Sequence, residues 1–206
     1  MLELSQVVYA PATAKLPVLN GASLRAQRGR PLLIAGASGS GKTSLLEVIS
    51  GLAGVQSGSI HWNGTPINQR QRRWLCGVVF QFPERHFLGL NVNQELRLGH
   101  RRLGQEREQQ VLNRVGLESV NRKAAPERLS GGQQRRLALA VQLLRGAEVL
   151  LLDEPTAGLD WSIRSDVLNL LSDLAKDQVL LVVTHEPDLF EHWECDRLRL
   201  KSGCLS

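Results

Sequence analysis

The octapeptide Gly36-Ala37-Ser38-Gly39-Ser40-Gly41-Lys42-Thr43 lies between an apolar run, Leu32-Leu33-Ile34, and a helical pattern carrying Leu45, Leu46, Val48 and Ile49. A strand therefore gives way to a helix through a turn built almost wholly of small residues. Glycines let such a turn close tightly and aim successive backbone N–H groups inward, and the following helix adds the positive end of its dipole. The product is a cradle for anionic phosphates. At this spacing Lys42 reaches the β- and γ-phosphates of a nucleotide, and the Thr43 hydroxyl coordinates the magnesium ion that bridges them. A plain Gly/Ser-rich turn ahead of a helix accounts poorly for both flanks.

A chain of 206 residues suits one domain, with room for a smaller helical lobe inserted in it. Its longest apolar runs, Val149 to Leu152 and Val179 to Val183, have the length of strands, well short of the roughly 18 residues a membrane-spanning helix needs. The start, Met1-Leu2-Glu3-Leu4-Ser5, lacks the basic and apolar regions of a signal peptide. A cytoplasmic or organelle-interior location is the expectation. Cys76, Cys195 and Cys204 are odd in number and lack metal-ligand spacing, so they suggest neither a disulfide framework nor a zinc site. The net charge of +5 comes from scattered arginines, including Arg70, Arg72, Arg73, Arg97, Arg101, Arg102, Arg135 and Arg136. With aromatic residues at only 4%, no stacking platform interleaves them, which argues against nucleic acid and for solvated or partner-facing charge.

Along the chain, Leu2, Leu4, Val7 and Tyr9, then Val18-Leu19 and Leu24, predict an antiparallel lead-in ahead of the Arg28-Gly29-Arg30-Pro31 turn. Strands are also expected within Ser57–Gly64 and at Gly77–Phe80. From Asn93 the pattern turns polar, arginine-rich and helical, which predicts a small helical lobe over approximately residues 93–130. Gly132 to Leu144 reads as an amphipathic helix. The runs Val149–Leu152 and Val179–Val183, separated by a helix over Ile163–Leu174, predict a parallel sheet covered on both faces. The fold class is thus α/β, with a mostly parallel central sheet, an antiparallel N-terminal subdomain and the helical lobe within a single domain, 1–206.

Two further groups carry chemistry. Asp153-Glu154 follows a buried apolar strand, and the carboxyl ends of parallel strands are where ligands bind. There Asp153 would order magnesium and Glu154 would polarise the attacking water. Leu129-Ser130-Gly131-Gly132-Gln133 forms a small-residue turn before the amphipathic helix, a second anion site of the same type. Two such sites for one nucleotide are redundant within a monomer; sharing each nucleotide between two subunits removes the redundancy.

The phosphate loop, Gln81, Leu129 to Gln133, Asp153-Glu154, Gly158-Leu159-Asp160 and His185 stand in the order and spacing of an ABC ATPase nucleotide-binding domain, which nearly the whole chain resembles. The resemblance implies a P-loop NTPase fold and a head-to-tail dimer. In that dimer two ATP molecules lie between residues 36–44 of one subunit, Ser44 included, and Ser130, Gly131, Gly132 and Gln133 of the other. It implies further that Gln81 links magnesium to the helical lobe, that Asp160 communicates across the dimer, and that His185 contacts the γ-phosphate beside Lys42 and the base Glu154. The metal set is then Thr43, Gln81 and Asp153.

Gln81-Phe82-Pro83-Glu84 is similar to the corresponding loop of energy-coupling-factor importers of vitamins and transition metals. Phe82 to Phe87, with Arg135 to Ala140 and Leu159-Asp160-Trp161, resembles small non-intrinsic ABC ATPases of cyanobacteria and plastids. Two departures stand out. Energy-coupling ATPases usually extend further past the histidine than this chain does, which puts dimerisation without nucleotide in doubt. The adenine-stacking aromatic usually lies two residues beyond Tyr9, where Pro11 stands; Tyr9 is on the same face of the strand and either stacks on adenine or packs in the sheet. The resemblance implies an ATPase subunit of a transporter, peripheral to the inner face of a membrane, working with integral membrane subunits and a second ATPase subunit. The alternative is a soluble ABC ATPase of cofactor or complex assembly.

Overall fold

The computed structural model describes residues 1–206, and its architecture follows from two hydrophobic periodicities. Strands β1 (Leu2–Tyr9) and β2 (Leu19–Ala26) pair antiparallel and join β4 (Ser57–Trp62) and β5 (Thr65–Pro66) in a four-stranded sheet ordered β2-β1-β4-β5. The second sheet has six strands. Its parallel part runs β9 (Asp196–Lys201), β3 (Leu32–Ala35), β8 (Val179–Thr184), β7 (Val149–Asp153) and β6 (Cys76–Val79), and β10 (Cys204–Leu205) closes the β9 edge antiparallel.

Alternation along the central strands divides the interior in two. Val149 and Leu151, with Val179, Leu181 and Val183, enter one apolar cluster, shared with Leu45, Leu46 and Ile49 of helix α1 (Lys42–Ser50) and the inner face of the antiparallel sheet. Leu150 and Leu152, with Leu180 and Val182, enter the other, shared with α5 (Gly131–Leu144) and α6 (Trp161–Leu174). A strand that is apolar on both faces is stable only when both are covered, and the unbroken Val149–Leu152 run is the mark of that condition. The expected parallel sheet and antiparallel subdomain are both present.

Between β6 and β7 the chain forms α3 (Val92–Arg97), α4 (Gln105–Arg114) and a short 3-10 turn at Pro126–Arg128, and α3 and α4 rest on α5. Asn91 caps α3 by accepting from the Gln94 backbone N–H. The polar stretch is fastened by Glu108, which is fully buried and receives Arg97 Nε at 3.1 Å and Arg122 Nη1. Strands β5, β9 and β10 and a helix ahead of β6 went unread in the sequence. Helix α2 (Gln69–Leu75) shows no apolar period, because it forms on a capping box between Asn68 and Gln71; β9 alternates charged and apolar residues and is recognised by its pairing with β3.

Replacing Glu108 by Ala leaves two arginines that are each partly in water, so the cost should fall below the roughly 3–5 kcal/mol of a fully buried pair. An expected loss of about 2 kcal/mol is checked by the shift of the urea unfolding midpoint at unchanged slope.

Candidate nucleotide site

Four neighbouring parallel strands end on one edge of the sheet, and each delivers one part of the site. β3 leads into the phosphate loop, β8 into His185, β7 into Asp153-Glu154 and β6, through Phe80, into Gln81. Their carboxyl ends line a cavity of about 510 Å³ whose walls include Ser38, Gly39, Gly41, Lys42, Thr43, Ser44, Gln81, Asp153, Glu154 and His185, with Val18 as the one apolar member. The sequence expectations for these residues thus converge on a single place, although they lie far apart along the chain.

The phosphate loop turns through left-handed backbone at Gly39 (φ 76°) and Gly41 (φ 101°), the latter immediately before α1. Gly36 and Ala37 lie outside the cavity lining and instead offer their carbonyl oxygens to Lys42 Nζ, at 2.7 and 3.1 Å. A Cβ added at Gly36 would lie 2.6 Å from Ser40 Oγ and 2.8 Å from the backbone oxygen of Leu200, and the second of these cannot rotate away, so glycine is required there.

Glu154 is the most constrained residue of the site. It is buried and has a left-handed backbone (φ 47°), a conformation that costs a non-glycine residue of order 1 kcal/mol or more. Its contacts outweigh that cost. Its N–H donates to Val183 O at 3.0 Å; its Oε2 accepts from Thr184 Oγ1 at 2.9 Å and from the His185 N–H at 3.2 Å. His185 Nδ1 lies 2.7 Å from Oε1, and Lys42 Nζ lies 3.7 Å from it. Beside it, Asp153 Oδ2 accepts from Thr43 Oγ1 at 2.7 Å. Burial holds the Asp153 carboxyl above the ordinary carboxylate range; the Thr43 hydrogen bond works against that, the Glu154 charge with it, and Lys42 against it.

Thr43, Asp153 and Gln81 line the same cavity and carry hard oxygen donors of the kind magnesium takes, with room left beside them for phosphate oxygens and water. These residues fit that ion.

Ser130 to Gln133 lie outside the cavity, at the N-terminus of α5. Ser130 caps the helix by accepting from the Gln133 N–H at 3.3 Å, while Gln133 Oε1 accepts from the Ser130 N–H at 3.0 Å. A Cβ on Gly132 would meet Ile163 Cγ2 at 2.4 Å, so α5 and α6 can touch only over a glycine. Asp160 is the N-cap of α6, and its side chain makes no capping bond. Tyr9 is also absent from the cavity wall; it packs against the cluster beneath the antiparallel sheet.

Two residues of consequence went unassigned in the sequence. Thr184 orients the Glu154 carboxylate, and a hydroxyl closing an otherwise apolar buried strand is the signal for it. Arg135 is buried and donates to Ala157 O at 2.7 Å and to Glu154 O at 3.5 Å, tying α5 to the backbone of the site. Its place on the inward side of an amphipathic helix is visible only in the fold.

A parallel sheet with a glycine loop and paired carboxylates at its carboxyl edge defines a phosphate-loop nucleotide-binding protein. The chain belongs to the ABC transporter family, whose profile matches residues 19–157, and it carries the ATP-binding domain of that family. It is 42% identical over 201 residues to the chloroplastic ABC transporter I family member 11 of Arabidopsis thaliana, covering 90% of this chain and 72% of that protein. It is 33% identical to the energy-coupling factor transporter ATP-binding protein EcfA2 of Methanospirillum hungatei, over 97% of this chain and 52% of the relative. Among solved structures, cbiO1 of Clostridium perfringens, described as part of the ABC transporter complex cbiONQ, superposes with a TM-score of 0.88 at 29% identity, covering all of this chain and 86% of that one.

The raised titration of Asp153 gives a stability prediction. Folding favours its protonated form, so its contribution is fully present below the ordinary carboxylate range and is lost as pH rises through the raised value. At neutral pH the ionised side chain is a cost. Asp153→Asn should raise the melting temperature of nucleotide-free protein by about 2–4 °C, the response of a chain of this size to roughly 1 kcal/mol. The same variant should lose most magnesium-dependent ATP hydrolysis, which a phosphate-release assay reads alongside calorimetry.

Proposed function

We propose that this chain is the ATP-hydrolysing subunit of an energy-coupling-factor type transporter, closing as a head-to-tail dimer around two ATP molecules and driving a separate membrane subunit. The observation that carries the reading is the convergence of Lys42, Thr43, Asp153, Glu154 and His185 on one cavity. The energy-coupling relative and the cbiONQ component support the transport assignment.

In this reading the backbone N–H groups of the phosphate loop and Lys42 bind the β- and γ-phosphates, and Thr43, Asp153 and Gln81 hold magnesium. When bound, the ion neutralises charge on the phosphate oxygens. Glu154 orients the attacking water and takes its proton as the water oxygen bonds to the γ-phosphorus and the bond to the ADP oxygen breaks. His185, held by Glu154, faces the γ-phosphate. Ser130 to Gln133 act on the nucleotide of the opposite subunit, and Asp160, its side chain free of a cap, contacts that subunit. The helical lobe over residues 93–130 and the segment after Gln81, where Phe82, Leu88 and Leu90 stand exposed, receive the membrane subunit.

Glu154→Gln should retain ATP binding, lower turnover by about 100-fold or more, the scale of a lost general base, and accumulate an ATP-bound dimer in light scattering. Lys42→Ala should bind ATP at least about tenfold more weakly, a loss of roughly 1.4 kcal/mol for a charge-assisted contact. Capture of tagged Glu154→Gln from native membranes with Mg-ATP should bring down a polytopic membrane protein that Lys42→Ala does not. Recovery of soluble partners alone, with hydrolysis intact, would overturn the transport assignment.

A further inference from the structure

Arg72 reads in the sequence as one of the scattered surface arginines, but the fold puts it inside, where it is 3% exposed. The packing of α2 is the cause. Helix α1 stops at Gly51 in left-handed backbone (φ 77°), and α2 lies so close to that turn that a Cβ on Gly51 would fall 2.3 Å from Gln69 O and 3.2 Å from Arg72 Cβ. One face of α2 is thus pressed on the end of α1, and Arg72 stands on that face. Its neighbour Arg73 stays exposed and satisfies its Nε on Gly51 O at 2.9 Å. Arg72 is not satisfied in this way. Its Nη2 makes one long bond to Ala53 O at 3.4 Å, its buried Nε has no partner, and among neighbouring charged groups only Cys76 acts on it.

An arginine keeps its proton inside a protein, so Arg72 is a buried positive charge without a counter-charge, a condition that folded proteins rarely leave unanswered. Cys76 supplies none: burial pushes its thiol up to about 12, which leaves it neutral at neutral pH. Arg72 lines a cavity of about 280 Å³ whose walls include Gly54, Val55, Ser59, Asn68 and Gln69 and no acidic residue. These walls are rich in donors. The N–H groups of Gly54 and Val55 find no backbone acceptor in the chain, and the Ser59 hydroxyl stands on the same wall. Asn68 Oδ1, an acceptor, is already taken by the Gln71 N–H at 3.0 Å.

We infer that this cavity is a second anion site, separate from the nucleotide cavity and independent of how that cavity is read, which takes a phosphate group, free or on a small phosphomonoester, on the guanidinium of Arg72. The planar fork of arginine matches phosphate oxygens in pairs. Donors from three separate segments, at residues 54–55, 59 and 72, suit a tetrahedral oxyanion better than the two oxygens of a carboxylate. The two anion sites stand at opposite ends of α1, whose nine residues span about 14 Å.

The test uses the full chain with its nucleotide cavity filled by magnesium and the β,γ-imido analogue of ATP, at constant ionic strength. Inorganic phosphate, glycerol 3-phosphate and acetate are each titrated by calorimetry. One equivalent of a phosphate compound should bind with a Kd of about 1 mM or tighter; the tighter of the two tells whether the site takes the free ion or an ester. Arg72→Leu should weaken that binding at least about tenfold. Because it removes an unpaired buried charge, it should also melt above the parent chain in anion-free buffer, a gap that phosphate narrows by stabilising the parent alone. Arg72→Lys keeps the charge without the fork and should bind phosphate about threefold or more weaker than the parent, which keeps the test open if the leucine variant does not fold. Absence of binding up to about 10 mM, equal binding of acetate, or undiminished phosphate binding by Arg72→Leu would overturn the site.

Discussion

Glu154 is gripped through its backbone and its side chain at once, and the rest of the site takes its positions from that grip. Its N–H reaches Val183 on β8, its carboxylate receives Thr184, the His185 N–H and the His185 ring, and Lys42 stands within ion-pair distance. Its carbonyl oxygen accepts from Arg135 and from the Ala157 N–H. One residue thereby joins the phosphate loop, two central strands and helix α5. Together these contacts exceed the strain of a left-handed glutamate and fix the carboxylate beside the cavity. Positional precision of this kind is what orienting a water molecule requires.

The same grip explains the balance of charge. A carboxylate pair at one strand end is costly in a buried setting, and the structure offsets it from two sides. Lys42 lies against Glu154, and Thr43 donates to Asp153. Both of those groups are also the ones a triphosphate and its metal would engage. Binding therefore exchanges contacts within the site for contacts to ligand, without exposing an unpaired charge.

Much of this was legible in the sequence because the informative elements are local. The phosphate loop is eight consecutive residues, and Val149–Leu152 and Val179–Val183 advertise strands covered on both faces. The site followed because parallel strands bring their carboxyl ends together, so Asp153, Glu154 and His185 had only one edge to occupy. What escaped depends on long-range partners. Strand β9 alternates charge and leucine and becomes a strand by lying against β3. Arg135 looks like surface charge until Ala157 and Glu154 are seen to accept from it. The side on which Tyr9 lies turns on two register shifts of β1 against β2, between Leu4 and Val7 and between Val7 and Tyr9, and no pattern in the sequence announces them.

The turn from Glu154 to Trp161 shows how the two halves of the chemistry are joined. It leaves the carboxylate, passes the carbonyl of Ala157 held by Arg135, and ends where Leu159 and Ile163 press on Gly131 and Gly132. A Cβ on Gly132 would fall 2.4 Å from Ile163 Cγ2, so α5 and α6 are in close-packed contact there. Close-packed contacts transmit displacement because they have no slack to absorb it. Asp160 stands exposed on that turn with its side chain free of a cap. The glycine turn of α5 and the backbone of Glu154 are thus joined by packed contacts of Leu159 and Ile163 and by the hydrogen bonds of Arg135.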